Sequence, residues 1–231
     1  THFMPSNTKG LLFLVRALSS RNFRLFFFGQ AVSLIGTWMQ LIAMRWLVYR
    51  LTKSELTLGL VGFISDFPLF FLVPFAGVLA DRIKRHRIMF VTQALSALQA
   101  AVLAALVFTD LIAVWHVLVL GGLLGIVSAF DITARQAFIV DIIEEREDLP
   151  NAIALNSFIF NGALLIGPAI AGILIAAVGE GPCFALNSLS YLTVLGALFL
   201  MKIPEKTFSA SPLDIKAAIV EGAAYTFKSV P

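Results

Sequence analysis

An all-α membrane protein, folded as a six-helix transmembrane bundle, is the architecture this sequence predicts, and three observations predict it. Of 231 residues, 59% are hydrophobic and 13% charged, where soluble domains carry about 25% charged residues. Mean hydropathy is +0.91, and a globule of this length leaves too much surface exposed to hide so many apolar side chains. Six stretches each supply the run of about 20 mostly apolar residues that a bilayer core requires. They are too long, and lack the alternation, for the strands of a membrane barrel.

In chain order, residues 1–22 read as a cytoplasmic N-terminal segment. Lys9, Arg16 and Arg21 interrupt its short apolar stretches, so it does not read as a cleavable signal peptide. Thr1, His2 and Phe3 precede Met4, which is read as the native start. The spans then fall at residues 23–51, 57–80, 88–107, 113–130, 152–178 and 183–201, giving a bundle over 23–203. Loops 52–56, 109–112 and 179–182 are short, so consecutive helices are expected to pack as antiparallel hairpins. The longer loop after the fourth span, with Glu144, Glu145, Arg146, Glu147 and Asp148, reads as a solvated turn. Residues 204–231 read as a cytoplasmic linker. Within it Ser211 is placed to cap a helix and Pro212 to open it, with Leu213, Ala217, Val220, Ala224 and Phe227 on one apolar stripe.

The basic residues orient the spans. Most of the 17 Lys and Arg sit in alternate segments: Lys9, Arg16, Arg21 and Arg24, then Arg82, Lys84, Arg85 and Arg87, then Arg135 and Arg146, then Lys202, Lys206, Lys216 and Lys228. The loops between them hold only Arg50 and Lys53. The positive-inside bias therefore predicts a multi-pass inner-membrane protein with both termini in the cytoplasm.

Other function classes lack their residues. The single cysteine, Cys183, excludes an intrachain disulfide framework and a CxxC metal site. A net charge of +3, spread as above, gives no nucleic-acid footprint. His2, His86 and His116 all lie away from the middle of a span, and neither HExxH nor GxSxG occurs. An enzyme is not expected, nor is a metal or cofactor.

Within the spans, Asp66 and Arg45 stand out, each costing about 2.5–3.5 kcal/mol at a helix centre by insertion scales. At about 1.5 Å per residue, Arg45 lies roughly 9 Å and Asp66 roughly 14 Å below the outer surface. They are expected to pair or to share the wall of a cavity as coupling charges, the other reading being independent snorkelling by Arg45. Gln30, Gln40, Gln93, Gln99, Asn156, Asn161 and Asn187 suit interhelical hydrogen bonds. Gln40 and Asn161 are the candidates for binding a substrate, with Trp38 and Met39 as apolar contacts; Trp46 fits an interfacial belt. Ala163, Gly167 and Ala171 recur every four residues on a face smooth enough for close helix packing, and Pro168 removes a backbone hydrogen bond there. Gly121, Gly125 and Ala129 make a second such face.

Two motifs carry a family resemblance. The run Gly77-Val78-Leu79-Ala80-Asp81-Arg82-Ile83-Lys84-Arg85-His86-Arg87 resembles the signature loop between the second and third helices of the major facilitator superfamily, with Lys84 where that signature has its second glycine. Gly167-Pro168, flanked by Ala163, Ala171 and Gly172, resembles the Gly-Pro signature of its exporters, with alanine at 163 and 171 where glycine is usual. With Arg21-Asn22-Phe23-Arg24, Gly36-Thr37-Trp38 and Arg135-Gln136-Ala137, these are similar to the branch containing enterobactin and macrolide efflux proteins. The resemblance implies the N-terminal half of a twelve-helix fold, itself two inverted three-helix repeats. It implies alternating-access export of a small amphipathic molecule, with Gly77, Asp81, Arg82 and Arg85 in a cytoplasmic gate. The missing partner is a C-terminal half or a second copy of the chain; the alternative is a half-length chain that transports nothing alone. The buried fourth-helix arginine of many proton-coupled members is absent, so coupling through it is not implied.

Overall fold

The computed structural model describes residues 16–143 and 145–202. The expected amphipathic helix at 211–227, residues 1–15 and Glu144 lie outside the described residues. Six long helices carry the fold: α1 Arg21–Thr52, α2 Glu55–Arg82, α3 Arg85–Phe108, α4 Val114–Ile142, α5 Leu149–Val178 and α6 Gly181–Leu200. Each is long and apolar enough to cross a membrane. Short 3-10 turns at Arg16–Ser19 and Arg146–Asp148 precede α1 and α5.

Local chemistry sets the ends. α1 stops where Lys53 turns left-handed at φ 51°, and the Ser54 hydroxyl accepts from the Thr57 amide at 3.3 Å to start α2. Pro150 and Pro182 sit in the first turns of α5 and α6, where a missing amide hydrogen costs nothing. Gly179, at φ 85°, makes the turn between those two helices.

Lateral packing bears out the hairpin across loop 109–112, where α3 lies against α4, and corrects the one across 179–182, where α5 and α6 scarcely touch. α2 and α3 scarcely touch either. Instead α1 lies against α5 and α6, α2 against α4, and α3 against α4 and α6. Exchanging α1 with α4, α2 with α5 and α3 with α6 reproduces this pairing: α1 on α5 becomes α4 on α2, and α1 on α6 becomes α4 on α3. That is the contact pattern of two three-helix repeats related by a two-fold.

Small residues set the closest approaches. A Cβ on Gly167 would lie 2.6 Å from Trp38 Cβ and 2.8 Å from the Ile35 carbonyl, so α5 rests on the α1 backbone. A Cβ on Gly125 would overlap the Ser65 carbonyl of α2, and one on Gly36 the Asn187 side chain of α6. Apolar cores fill both ends of the bundle, Phe23, Phe26, Met89, Phe138 and Leu198 at the end where Arg16 and Lys202 lie, and Leu47, Val48, Leu103, Val117 and Phe184 at the other. Coverage is uneven. In the most apolar stretch of each helix, 6% of residues are buried in α2 and 22% in α5, against 33–44% in the other four.

Candidate functional site

At the end of the bundle that holds Arg16 and Lys202 the chain turns from α2 to α3 through Ile83 and Lys84, which brings Arg85 back beneath the last turn of α2. The Arg85 guanidinium donates to Asp141 on α4 at 3.0 Å, to the Ala137 carbonyl at 3.2 Å and to Asp81 on α2 at 3.4 Å. Arg85 and Asp141 are about one-fifth exposed, whereas Asp81 is 75% exposed. One cation thus holds three helix ends together and presents the Asp81 carboxylate outward. Arg82 is exposed and engaged elsewhere. A Cβ on Gly77, one turn before Asp81, would meet nothing within 4 Å.

The acidic loop before α5 is a docking point, which its reading as a plain solvated turn missed. Arg16 pairs with Glu145 and Asp148, each at 2.8 Å, and with Glu147 at 3.5 Å. The hydrogen bond that Arg16 donates to Glu145 and the charge of Asp148 push the Arg16 guanidinium pKa upward. Beside it the Ala17 amide donates to Asn151, and Asn22 exchanges two hydrogen bonds with the Lys202 backbone. The segment entering α1 therefore ties down the start of α5 and the end of α6.

The sequence-selected residues divide between the interior and the surface of the bundle. Gln40 is fully buried, donating to Gln99 of α3 and accepting from Asn187 of α6, both at 2.8 Å. It joins three helices; Met39 is likewise buried in the core. Trp38 is half-buried against Phe160 at 5.8 Å, and Asn161 is exposed on α5, donating to the Ser157 carbonyl. Arg45 and Asp66 are both exposed, and no ion pair joins them. Asp66 instead lines an open concavity of about 640 Å³ with Phe67, Leu69, Phe70, Val73 and Pro74. Ala163, Gly167 and Ala171 are buried facing α1, with Pro168 half-buried beside them. Gly172 departs from that face: it is exposed, with room for a Cβ.

A family model described as transmembrane secretion effector, within the major facilitator superfamily, matches residues 15–231. The chain belongs to this family. Similar proteins include the staphyloferrin A transporter of Staphylococcus aureus, 30% identical over 196 residues, covering 82% of this chain and 49% of the relative. The multidrug efflux pump Tap of Mycolicibacterium fortuitum is 27% identical over 84% of this chain and 44% of its own length. Macrolide efflux protein A of Streptococcus pyogenes is 26% identical over 80% and 46%. The chain thus spans about half the length of these relatives.

Two polar sites of this superfamily member were not legible beforehand. Asp131, beyond the expected end of the fourth span, accepts from Thr92 at 2.9 Å and Gln93 at 2.8 Å of α3. Arg135, one turn on, stands 3.6 Å from Asp131 and donates to Gln30 of α1. The i,i+4 spacing of Asp131 and Arg135 was the available signal. At the opposite end Arg50 of α1 grips the buried Glu180 before α6, at 2.8 and 3.3 Å. Among the described residues no group of acidic, His and Cys side chains could hold a metal.

Proposed function

We propose that the chain forms one six-helix wall of a secondary active exporter of small amphipathic molecules, working by alternating access in the inner membrane with its termini in the cytoplasm. The observation that carries this reading is the exposure of α2 and α5. On these two helices Gly59, Gly62, Gly77, Gly162 and Gly172 would each accept a Cβ without meeting any atom within 4 Å. Such faces suit close packing by helices of a second wall, supplied by a further six-helix half or a second copy of the chain. Their polar groups, Asp66 and Asn161, then border a passage, with Arg45 and Trp38 of α1 as neighbours in the same wall.

The Arg85 cluster acts as the gate of that passage. Asp141 fixes Arg85, Arg85 fixes Asp81, and the outward carboxylate of Asp81 is placed to meet the positive N-terminal end of a helix in the opposing wall. Closing makes that contact and opening breaks it, while the three helix ends move as one body.

Everted vesicles from cells expressing the open reading frame that encodes this chain test the proposal. With rhodamine 6G, Nile red and fluorescein as cationic, neutral and anionic dyes, energised vesicles are expected to accumulate at least one dye above vesicles lacking the protein. Arg85→Ala is expected to cut that uptake about tenfold or more, the size of one lost charge-assisted contact, at unchanged protein level. Uptake of all three dyes equal to the empty control overturns the reading.

A further inference from the structure

The exposed carboxylate of Asp66 lies eleven residues, about 16 Å, into the 28-residue helix α2, and so at the depth of the bilayer interior. Asp66 makes no ion pair or hydrogen bond with any described side chain. Facing lipid, such a group is too costly to keep, so its side of α2 faces a ligand, water or another protein surface.

What surrounds it selects one chemistry. Phe63 and Phe70, three residues before and four after, lie on the same helix face, 59% and 80% exposed. Phe63, Phe67 and Phe71 form a ladder with ring centroids 4.9 and 4.7 Å apart, and Phe70 meets Phe71 edge-on at 5.5 Å. Aromatic faces attract cations, more strongly where water is excluded. Pro68 and Pro74 add to this, since neither can donate to the carbonyl four residues back. At Phe70 this leaves a backbone acceptor beside the same concavity. A carboxylate, exposed phenyl rings and a freed carbonyl, with no cation from this helix nearer than its ends, accept positive charge and offer nothing to an anion.

We propose that Asp66 and the phenylalanines around it form a binding site for hydrophobic organic cations. This rests on the reading of α2 as part of a passage wall. Asp66 neutralises the cationic centre while Phe67 and Phe70 cover its apolar groups.

Equilibrium binding of radiolabelled tetraphenylphosphonium to the chain in lipid nanodiscs, corrected for empty nanodiscs, is the test. Tetraphenylborate, with the same four rings around an anionic centre, is the matched probe. Saturable binding of the cation is expected, weakened about tenfold or more in Asp66→Asn and largely retained in Asp66→Glu. Phe67→Ala and Phe70→Ala are expected to weaken it several-fold, and tetraphenylborate to show no saturable binding. Protection of the buried Cys183 thiol confirms that each variant is folded. Equal cation affinity in wild type and Asp66→Asn, or equal binding of tetraphenylborate, overturns the site. Export of Nile red untouched by Asp66→Asn, without phosphonium binding, removes the cation site and leaves the exporter. Failure of all dye uptake removes the exporter, while phosphonium binding is read separately.

Discussion

Gly167 shows how little freedom single positions have where two helix backbones meet. A Cβ there would press on Trp38 Cβ, the Ile35 carbonyl and the Met39 amide at 2.6, 2.8 and 3.0 Å, and two of those three atoms are backbone that cannot rotate away. Gly167→Val is expected to destabilise the bundle by about 1–3 kcal/mol, while Gly162→Ala, in open space, is near neutral. Cys183 offers the readout: it is the sole cysteine, buried, and is expected to react with a thiol-specific dye only as the bundle opens on heating. The small-residue spacing at 163, 167 and 171 was legible in the sequence because a four-residue period puts all three on one face. Gln40 was not. Its depth could be counted, but its direction could not, since in a membrane both the lipid-facing and the core-facing sides of a helix are apolar. Only the partners, Gln99 and Asn187 on helices distant in sequence, reveal that it points inward.

At the scale of helices, apolar run length located all six, because the bilayer sets how long a helix must be. At α4 the apolar run ends at 130, before Asp131 and Arg135, while the helix itself continues to Ile142, with those charges met by each other and by α1 and α3. Loop length was a partial guide. A short loop fixes that consecutive helices run antiparallel, but not that they lie side by side: α3 and α4, joined through 109–112, pack together, whereas α5 and α6, joined through 179–182, splay apart. The tie that joins α1 to the start of α6 is the Arg50–Glu180 pair, whose halves are unequally exposed, at 48% and 5% of their side chains. Removing the exposed partner strands a buried carboxylate, so Arg50→Ala is expected to cost about 1–3 kcal/mol, discounted toward the low end by solvent around the guanidinium. The double change Arg50→Met with Glu180→Leu leaves no buried charge and is expected to recover most of that loss. Thermal unfolding of the three proteins in the same detergent measures the difference.

For the whole molecule, charge and packing divide the bundle into two unlike ends. One end gathers Arg24, Arg82, Lys84, Arg85 and Arg87 together with the Arg16 and Asn22 ties, while the other holds Arg50 in the last turn of α1 and Lys53 just after it. Basic loops cross a membrane poorly, so the first end is expected in the cytoplasm, and the proposed gate at Asp81 then closes the passage on that side. The buried thiol of Cys183 is expected to leave the native protein unreactive, which lets one added cysteine report its own location. Leu111→Cys, in the exposed loop between α3 and α4, is expected to react with a membrane-impermeant maleimide in intact cells. Arg87→Cys, exposed at the start of α3, is expected to react only after the cells are opened. The reverse pattern would turn the bundle over and place the Arg85 cluster on the outer side. Asp81 would then guard the exit of the passage, and an inward-facing gate would have to be sought among Arg50, Glu180 and the loops beside them.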